Sequence, residues 1–312
     1  MMEVALLGTG GMMPLPNRFL TSLMTRVDGR LLLIDCGEAT QVTLKLLGWG
    51  FKNIDHICFT HFHADHISGL PGMLLSIGNS ERKEPVTLIG PQGLSQVFAG
   101  LRVIAPYLPF EVNIIEIPYG GSGEEGEEML VNEEGLYLNT LSLNHRIPCL
   151  GYSLNLKRKG AFDVERARKL NIPIKNWNYL QKGQTVVVDG VTYTPDMVLG
   201  NERKGIKVSY ITDTRPIPEM AEFAKDSDIF ICEGLYGHDD FLPKAAERRH
   251  MIFSEAASVA AQANVKKLWL THYSPAMPDP QNYIQYARAI FPNSFTCRDR
   301  TTEVISFEHS PQ

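Results

Sequence analysis

The chain has 312 residues, 44% hydrophobic and 21% charged, with 26 Gly and 19 Pro, which suits a globular protein with a real core and excludes a disordered, collagenous or coiled-coil one. A net charge of −5 argues weakly against a nucleic-acid partner, and no apolar run approaches the roughly 18 to 20 residues of a membrane helix. The five cysteines are scattered without a CxxC pair and Met1–Leu6 has no basic leader, so reduced thiols, a cytoplasmic location and no membrane partner are expected.

In chain order, short β-type runs predict strands at 4–8, 31–35, 56–60, 86–89, 112–117, 136–144, 152–156, 208–212, 229–233, 267–271 and 303–307. Helical patterns fall between some of them, at 39–47, 65–77, 94–101, 164–170, 217–224, 253–263 and 281–291. Hairpin-like pairs mixed with helices predict an α/β (α+β) class, with layered sheets flanked by helices and one domain over 1–312.

Two stretches interrupt that order by charge. Residues 120–134 carry six Glu and no Lys or Arg, reading as a solvated loop, so the rest of the chain sums to −5 + 6 = +1. Residues 156–183 hold eight basic residues against Asp163 and Glu165, interleaved with Phe162, Trp177 and Tyr179. Basic charge with interleaved aromatics suits RNA. A solvated amphipathic helix with Phe162, Ala167 and Leu170 as its core stripe is the competing reading.

The densest signal is Thr60-His61-Phe62-His63-Ala64-Asp65-His66, set between a predicted strand and a predicted helix. Three imidazoles and a carboxylate at this spacing converge on a small volume, and neutral imidazole with carboxylate is the donor set of zinc, manganese or iron. Four ligands do not close two metal sites. His145, Asp213 and His272 each follow a predicted strand and are the candidates to complete them. His56 and His309 read as structural or solvated.

The pattern His61, His63, Asp65, His66, with later His, Asp and His at strand ends, resembles the metallo-β-lactamase superfamily. Within it the chain is similar to the ribonuclease Z family. The likeness runs from Leu7-Gly8-Thr9-Gly10 through Asp35-Cys36-Gly37-Glu38-Ala39-Thr40-Gln41, Thr60–His66, Asn144-His145-Arg146, Asp213-Thr214-Arg215 and Glu233 to His250 and Leu270-Thr271-His272. The resemblance implies a four-layer αββα sandwich with a protruding basic arm at 156–183. It implies one divalent ion, zinc first and manganese or another second, held by His61, His63 and His145, a second held by Asp65, His66 and His272, and Asp213 bridging them.

The activity implied is hydrolysis of a phosphodiester at the 3′ end of precursor tRNA, with water activated by the ion pair. Asp65 would orient that water, His250 would reach the scissile phosphate or the leaving oxygen, and Glu233 would orient His250. Arm residues Lys157, Arg158, Lys159, Arg166, Arg168 and Lys169 would grip tRNA, and a homodimer is implied. The family's glycine-proline arm element is replaced by Ile172-Pro173-Ile174-Lys175-Asn176. The alternative is a binuclear phosphodiesterase of a small molecule or another nucleic acid, discriminated by whether the arm covers the cleft or projects from it. A non-catalytic RNA-binding protein and a β-lactamase are the remaining readings.

Overall fold

The computed structural model describes residues 1–132 and 135–308; Glu133 and Glu134 of the acidic stretch, and His309, lie outside the described residues. The first half contributes β1 (Met2–Gly8), β2 (Ser22–Val27), β3 (Arg30–Ile34), α1 (Thr40–Leu47), β4 (Ile54–Cys58), α2 (Ala64–Ile67), α3 (Leu70–Gly78), β5 (Val86–Pro91), α4 (Leu94–Arg102) and β6 (Val112–Ile117). The second contributes β7 (Met129–Leu130), β8 (Leu136–Ser142), β9 (Leu150–Arg158), α5 (Val164–Lys169), α6 (Ile174–Gln181), β10 (Val186–Val188), β11 (Val191–Tyr193) and β12 (Arg203–Ile211). It ends with α7 (Glu219–Phe223), β13 (Ile229–Glu233), α8 (Leu242–Arg248), α9 (Phe253–Gln262), β14 (Leu268–Thr271), α10 (Ile284–Arg288), β15 (Ser294–Thr296) and β16 (Thr301–Ile305).

These strands build two seven-stranded sheets, ordered β16-β1-β2-β3-β4-β5-β6 and β15-β14-β13-β12-β9-β8-β7. Side-chain alternation sorts each strand between two cores. Val4, Leu6 and Leu23 point into the layer between the sheets, where they meet Leu154, Val208 and Ile231. Their neighbours Leu7 and Met24 pack outward with Leu74 of α3 and Phe98 of α4. On the far side Phe230, Cys232 and Leu270 pack against Ala256, Ala257 and Ala260 of α9. Strands covered on both faces read as unbroken apolar runs, as Ile229–Glu233 does, with every residue buried. The result is helix, sheet, sheet, helix: four layers. Among the described residues no helix is long and apolar enough to cross a membrane.

Parallel pairing decides where function is placed. β3, β4, β5 and β6 run parallel, as do β12, β13 and β14, so their carboxyl ends gather at one edge of the sandwich. At that edge the predicted helix 65–77 is broken into α2 and α3 at Ser68-Gly69. The break comes from a close approach: a Cβ on Gly69 would stand 2.0 Å from the Gly37 carbonyl oxygen, and one on Gly37 would stand 2.1 Å from that of Asp65. Only glycine lets the loop after β3 pass beneath the helix that carries Asp65 and His66.

The segment inserted between β9 and β12 runs from 159 to 202, beyond the 156–183 suggested by charge, and Lys157 and Arg158 still belong to β9. It holds α5, α6 and the β10–β11 hairpin around a small core of its own: Ala167, Ile172, Leu180 and Val198, with Phe162, Trp177, Val186 and Tyr193 packed against them. Phe162 and Trp177 pack with ring centroids 5.4 Å apart and planes tilted by 37°, so two of the three interleaved aromatics serve this core, and only Tyr179 of the three stands exposed. Leu170, placed on the competing core stripe, is exposed too.

Candidate metal centre

The centre is assembled from the ends of β3, β4, β8, β12 and β14. Asp213 and His272 adopt left-handed φ of 49° and 58°, and Asp35 one of 63°. Non-glycine residues adopt this region at some cost, and these three lie at strand ends where the chain turns across the edge.

All seven predicted ligands converge. His61, His63, His145 and Asp213 form one group with ligand atoms within 4.8 Å of one another, and Asp65, His66 and His272 form a second. Asp213 lies between them: its Oδ2 is 3.6 Å from His61 Nε2 and 3.9 Å from His145 Nε2, while its Oδ1 is 3.5 Å from His66 Nε2 and 3.1 Å from His272 Nε2. Asp65 Oδ2 is 3.6 Å from both His66 Nε2 and His272 Nε2.

The outer nitrogens are engaged, which turns the inner ones toward one another. His66 donates from Nδ1 to Asp35 Oδ2 at 2.8 Å, His145 donates from Nδ1 to the Arg249 carbonyl at 3.2 Å, and His61 Nδ1 meets Thr60 Oγ1 at 3.0 Å. Inside, His61 Nε2 faces His63 Nδ1 at 2.9 Å, and His66 Nε2 faces His272 Nε2 at 3.3 Å. Lone pairs aimed at each other at such distances need a cation or proton between them, so the donor set fits a divalent metal, and the outer contacts are those that orient metal-bound histidines. The protein binds divalent metal, and these groups are its candidate ligands.

Burial depresses the His61, His63 and His145 imidazoles below the ordinary histidine range, which leaves them neutral and able to ligate. Burial opposes the charge on Asp213 and Asp65 as well, but the imidazoles around them prevail and hold both carboxyls below the usual carboxylate range. For His66 burial is outweighed by Asp213 and Asp35, which push it up to about 10 without metal.

Several groups that complete the centre were not assigned roles by sequence. Asp35, fully buried, accepts from the Thr60 amide at 2.8 Å and the Thr60 hydroxyl at 2.9 Å as well as from His66, and the Tyr210 hydroxyl points at it from 3.3 Å. The Met12 amide donates to Asp65 Oδ2 at 2.7 Å. Arg249 both receives the His145 proton on its carbonyl and donates its guanidinium to the His145 carbonyl. Asp35 had a signal, a charged residue at the end of an apolar strand; a backbone amide such as that of Met12 has none.

His250, whose ligand atom also lies within 4.8 Å of those of Asp213 and His272, meets the fully buried Glu233 at 3.0 Å, and Glu233 Oε1 also accepts the Thr214 amide at 2.6 Å. Burial works against an imidazolium at His250, but Glu233 outweighs it and pushes the group up to about 9. His250 lines an open cleft of about 600 Å³ together with Asp65, His145 and His272, with Met12 on its lip.

No residue of the 159–202 insertion or of the acidic loop lines this cleft among the described residues. The insertion leaves from the ends of β9 and β12 remote from the metal-ligand groups, roughly 25–30 Å along a nine-residue strand. The basic residues of the insertion and of the β9 end that carries it differ in freedom. Lys157 pairs with Glu128 at 2.6 Å, Arg158 donates to the Glu308 carbonyl, Lys159 to that of Lys182, and Arg166 meets Asp163 at 3.3 Å. Arg168 and Lys169 stand exposed on α5.

Comparison with known proteins adds four likenesses. Residues 2–99 match the family described as anti-Pycsar protein Apyc1. Ribonuclease Z of Lachnospira eligens is 52% identical over 308 residues, spanning 99% of this chain and 99% of that one. Among solved structures, the short form of human tRNase Z superposes with a TM-score of 0.71 at 22% identity, covering 98% of this chain and 100% of that one. The metallo-β-lactamase fold protein YhfI of Bacillus subtilis superposes with a TM-score of 0.68 at 17% identity, covering 97% of this chain and 98% of its own. The four layers seen here are those of that fold.

Proposed function

The chain belongs to the ribonuclease Z family, and from that premise we propose that its centre hydrolyses a phosphodiester at the 3′ end of precursor tRNA, removing the 3′ trailer. The observation that carries this reading is Asp213 turning one carboxylate oxygen to each set of imidazoles. A carboxylate so placed suits two cations side by side, the arrangement used for in-line displacement at phosphorus.

Two divalent ions, zinc first and manganese next, would be held by His61, His63 and His145 on one side, by Asp65, His66 and His272 on the other, and by Asp213 between. Such a pair supplies an activated water and offsets charge on the phosphate. The protein's own groups do the rest. Asp65, held by the Met12 amide, orients the water. His250, protonated at neutral pH and held through Nδ1 by Glu233, keeps its other nitrogen free to protonate the leaving oxygen. Glu233 is a positioning residue.

The open cleft favours a macromolecule over a small ester, since the insertion is rooted away from it rather than folded over it. Arg166, Arg168 and Lys169, with the strand-end residues Lys157, Arg158 and Lys159, form the tRNA-gripping arm, through salt-sensitive phosphate contacts. Rooted roughly 25–30 Å from its own centre, the arm serves the cleft of a second copy in a homodimer. Mixing an inactive Asp65→Ala protein with an arm-deleted one should then lower the KM of the arm-deleted centre for precursor tRNA toward that of the unmodified protein. The substrate places this work in the cytoplasm.

The deciding experiment is cleavage of a precursor tRNA with a 3′ trailer by zinc- or manganese-loaded protein beside its Asp65→Ala variant. A single cut next to the acceptor stem, reduced on the order of 10³-fold or more in the folded variant, supports the reading. Intact tRNA alongside a hydrolysed small phosphodiester sinks it in favour of a small-molecule or other nucleic-acid phosphodiesterase.

A further inference from the structure

The His145–His250 side of the cleft carries three arginines, and the backbone gives them different tasks. Arg249 sits at φ 60°, just past the end of α8, and its guanidinium reaches back to the His145 carbonyl. That turn separates it from Arg248, which lines the cleft beside His250. Arg146, next to the ligand-type His145, lines the same wall and is positioned by a bond from Nη2 to the Glu247 carbonyl at 3.1 Å. Both Arg146 and Arg248 are exposed, and neither forms an ion pair among the described residues. Burial disfavours ionisation of Tyr236, and the Arg248 guanidinium beside that hydroxyl opposes it, so Arg248 keeps no anionic partner there. Arg146 and Arg248 are the arginines among the described residues that line the cleft, which also takes in Met12, Ala64 and the acidic Glu247.

Two unpaired, planar cations on one wall of a cleft suit phosphates, which guanidinium groups grip through paired donors. The central phosphate is accounted for by the metal-ligand groups and His250. We propose that Arg146 and Arg248 clamp the phosphates flanking the scissile one, so that the cleft selects a polynucleotide strand over an isolated phosphodiester. The inference rests on the phosphodiester reading of the site. Arg248 also ends α8, where a basic residue favours the helix dipole, so a purely structural role is the competing account.

The test compares the metal-loaded protein with Arg146→Gln, Arg248→Gln and the double variant on three probes: precursor tRNA, bis(p-nitrophenyl) phosphate, and an uncleavable single-stranded oligoribonucleotide as inhibitor of the small-ester reaction. The clamp predicts that the double variant raises KM for precursor tRNA about tenfold, at least fivefold more than any loss on the small ester. It also predicts oligonucleotide inhibition weakened in step, with a log–log salt slope shallower by about 0.7 per lost contact. Unchanged KM and salt slope overturn the proposal. Equal losses on both substrates, or lost zinc or a lowered Tm, overturn it in favour of the structural role. Should the unmodified protein leave precursor tRNA intact, the tRNA reading falls by itself, and the oligonucleotide inhibition still decides the clamp.

Discussion

The same two strands carry both working regions of the molecule at opposite ends. At one end, Leu150 opens β9 by bonding to the Thr60 carbonyl at 2.9 Å, and β12 runs out into a buried Asp213. At the other, Arg158 and Arg203 pair across the root of an arm whose charged residues stand in solvent. Hydrolysis requires atoms fixed relative to one another, so the catalytic edge uses buried hydrogen bonds and left-handed turns that hold each imidazole by its outer nitrogen. Attraction of phosphates acts over several ångströms and tolerates imprecise placement, so the arm needs only charge on a small core. The two ends should therefore differ in what a substitution does: kcat and metal affinity at one, KM and salt dependence at the other.

After the loss at Asp65, the largest expected effect is at His250. His250→Gln should lower kcat for precursor tRNA on the order of 10³-fold with metal content retained. In the unmodified protein the alkaline limb of the pH–kcat profile should fall near pH 9, because the group is protonated below that value and loses its proton above it. Glu233→Gln removes the carboxylate that raises His250 while burial remains, so the limb should move to lower pH. A limb that stays in place would remove Glu233 from its positioning role.

A smaller effect is expected one shell out. Asp35→Asn weakens the acceptor that holds His66 and Thr60, and zinc affinity measured by chelator competition should fall about 10- to 100-fold with the fold retained. Zinc binding should also release protons and weaken as pH falls, because His66, pushed up to about 10 by Asp213 and Asp35 against its burial, must lose its proton to ligate. An Asp35→Asn protein with undiminished affinity would show that the strand-end contact is dispensable.

The smallest effect belongs to the arm. Gly160 and Gly200 meet at its neck, where the Gly200 amide bonds to the Ala161 carbonyl at 2.9 Å, so joining the chain there removes the arm with little disturbance. The deletion should raise KM for precursor tRNA about tenfold, well beyond any loss on a small phosphodiester, and flatten the salt dependence. Equal losses on the two substrates would erase the contrast between the two ends.

The α/β class with layered sheets and the core strands were legible in the chain because strands buried on both faces, such as Ile229–Glu233, read as apolar runs, whereas the count of four layers came with the family resemblance. β2 escaped notice because it alternates between two cores and carries the buried polar residues Ser22 and Thr25. Helix α8 buries only Ala245, so it has no apolar stripe to betray it. Helix α6 contains Asn176, Trp177 and Asn178, poor helix formers, and Pro173 at its start together with Trp177 packing on the arm core outweighs that propensity.

By itself the sequence determined which chemistry was present: ligand-type side chains at 61–66, closely spaced at a strand end, with His145, Asp213 and His272 at other strand ends. Residue type and local spacing suffice for that, since imidazole and carboxylate suit few other partners so densely grouped. Only the tertiary structure decided that Asp213 faces both imidazole sets, that Asp35 holds His66 across 31 positions of sequence, and that the Met12 amide and the Arg249 carbonyl complete the cradle. Those relations depend on where the ends of separate strands meet and which way backbone groups point there, and neither is written in the identity of any one residue.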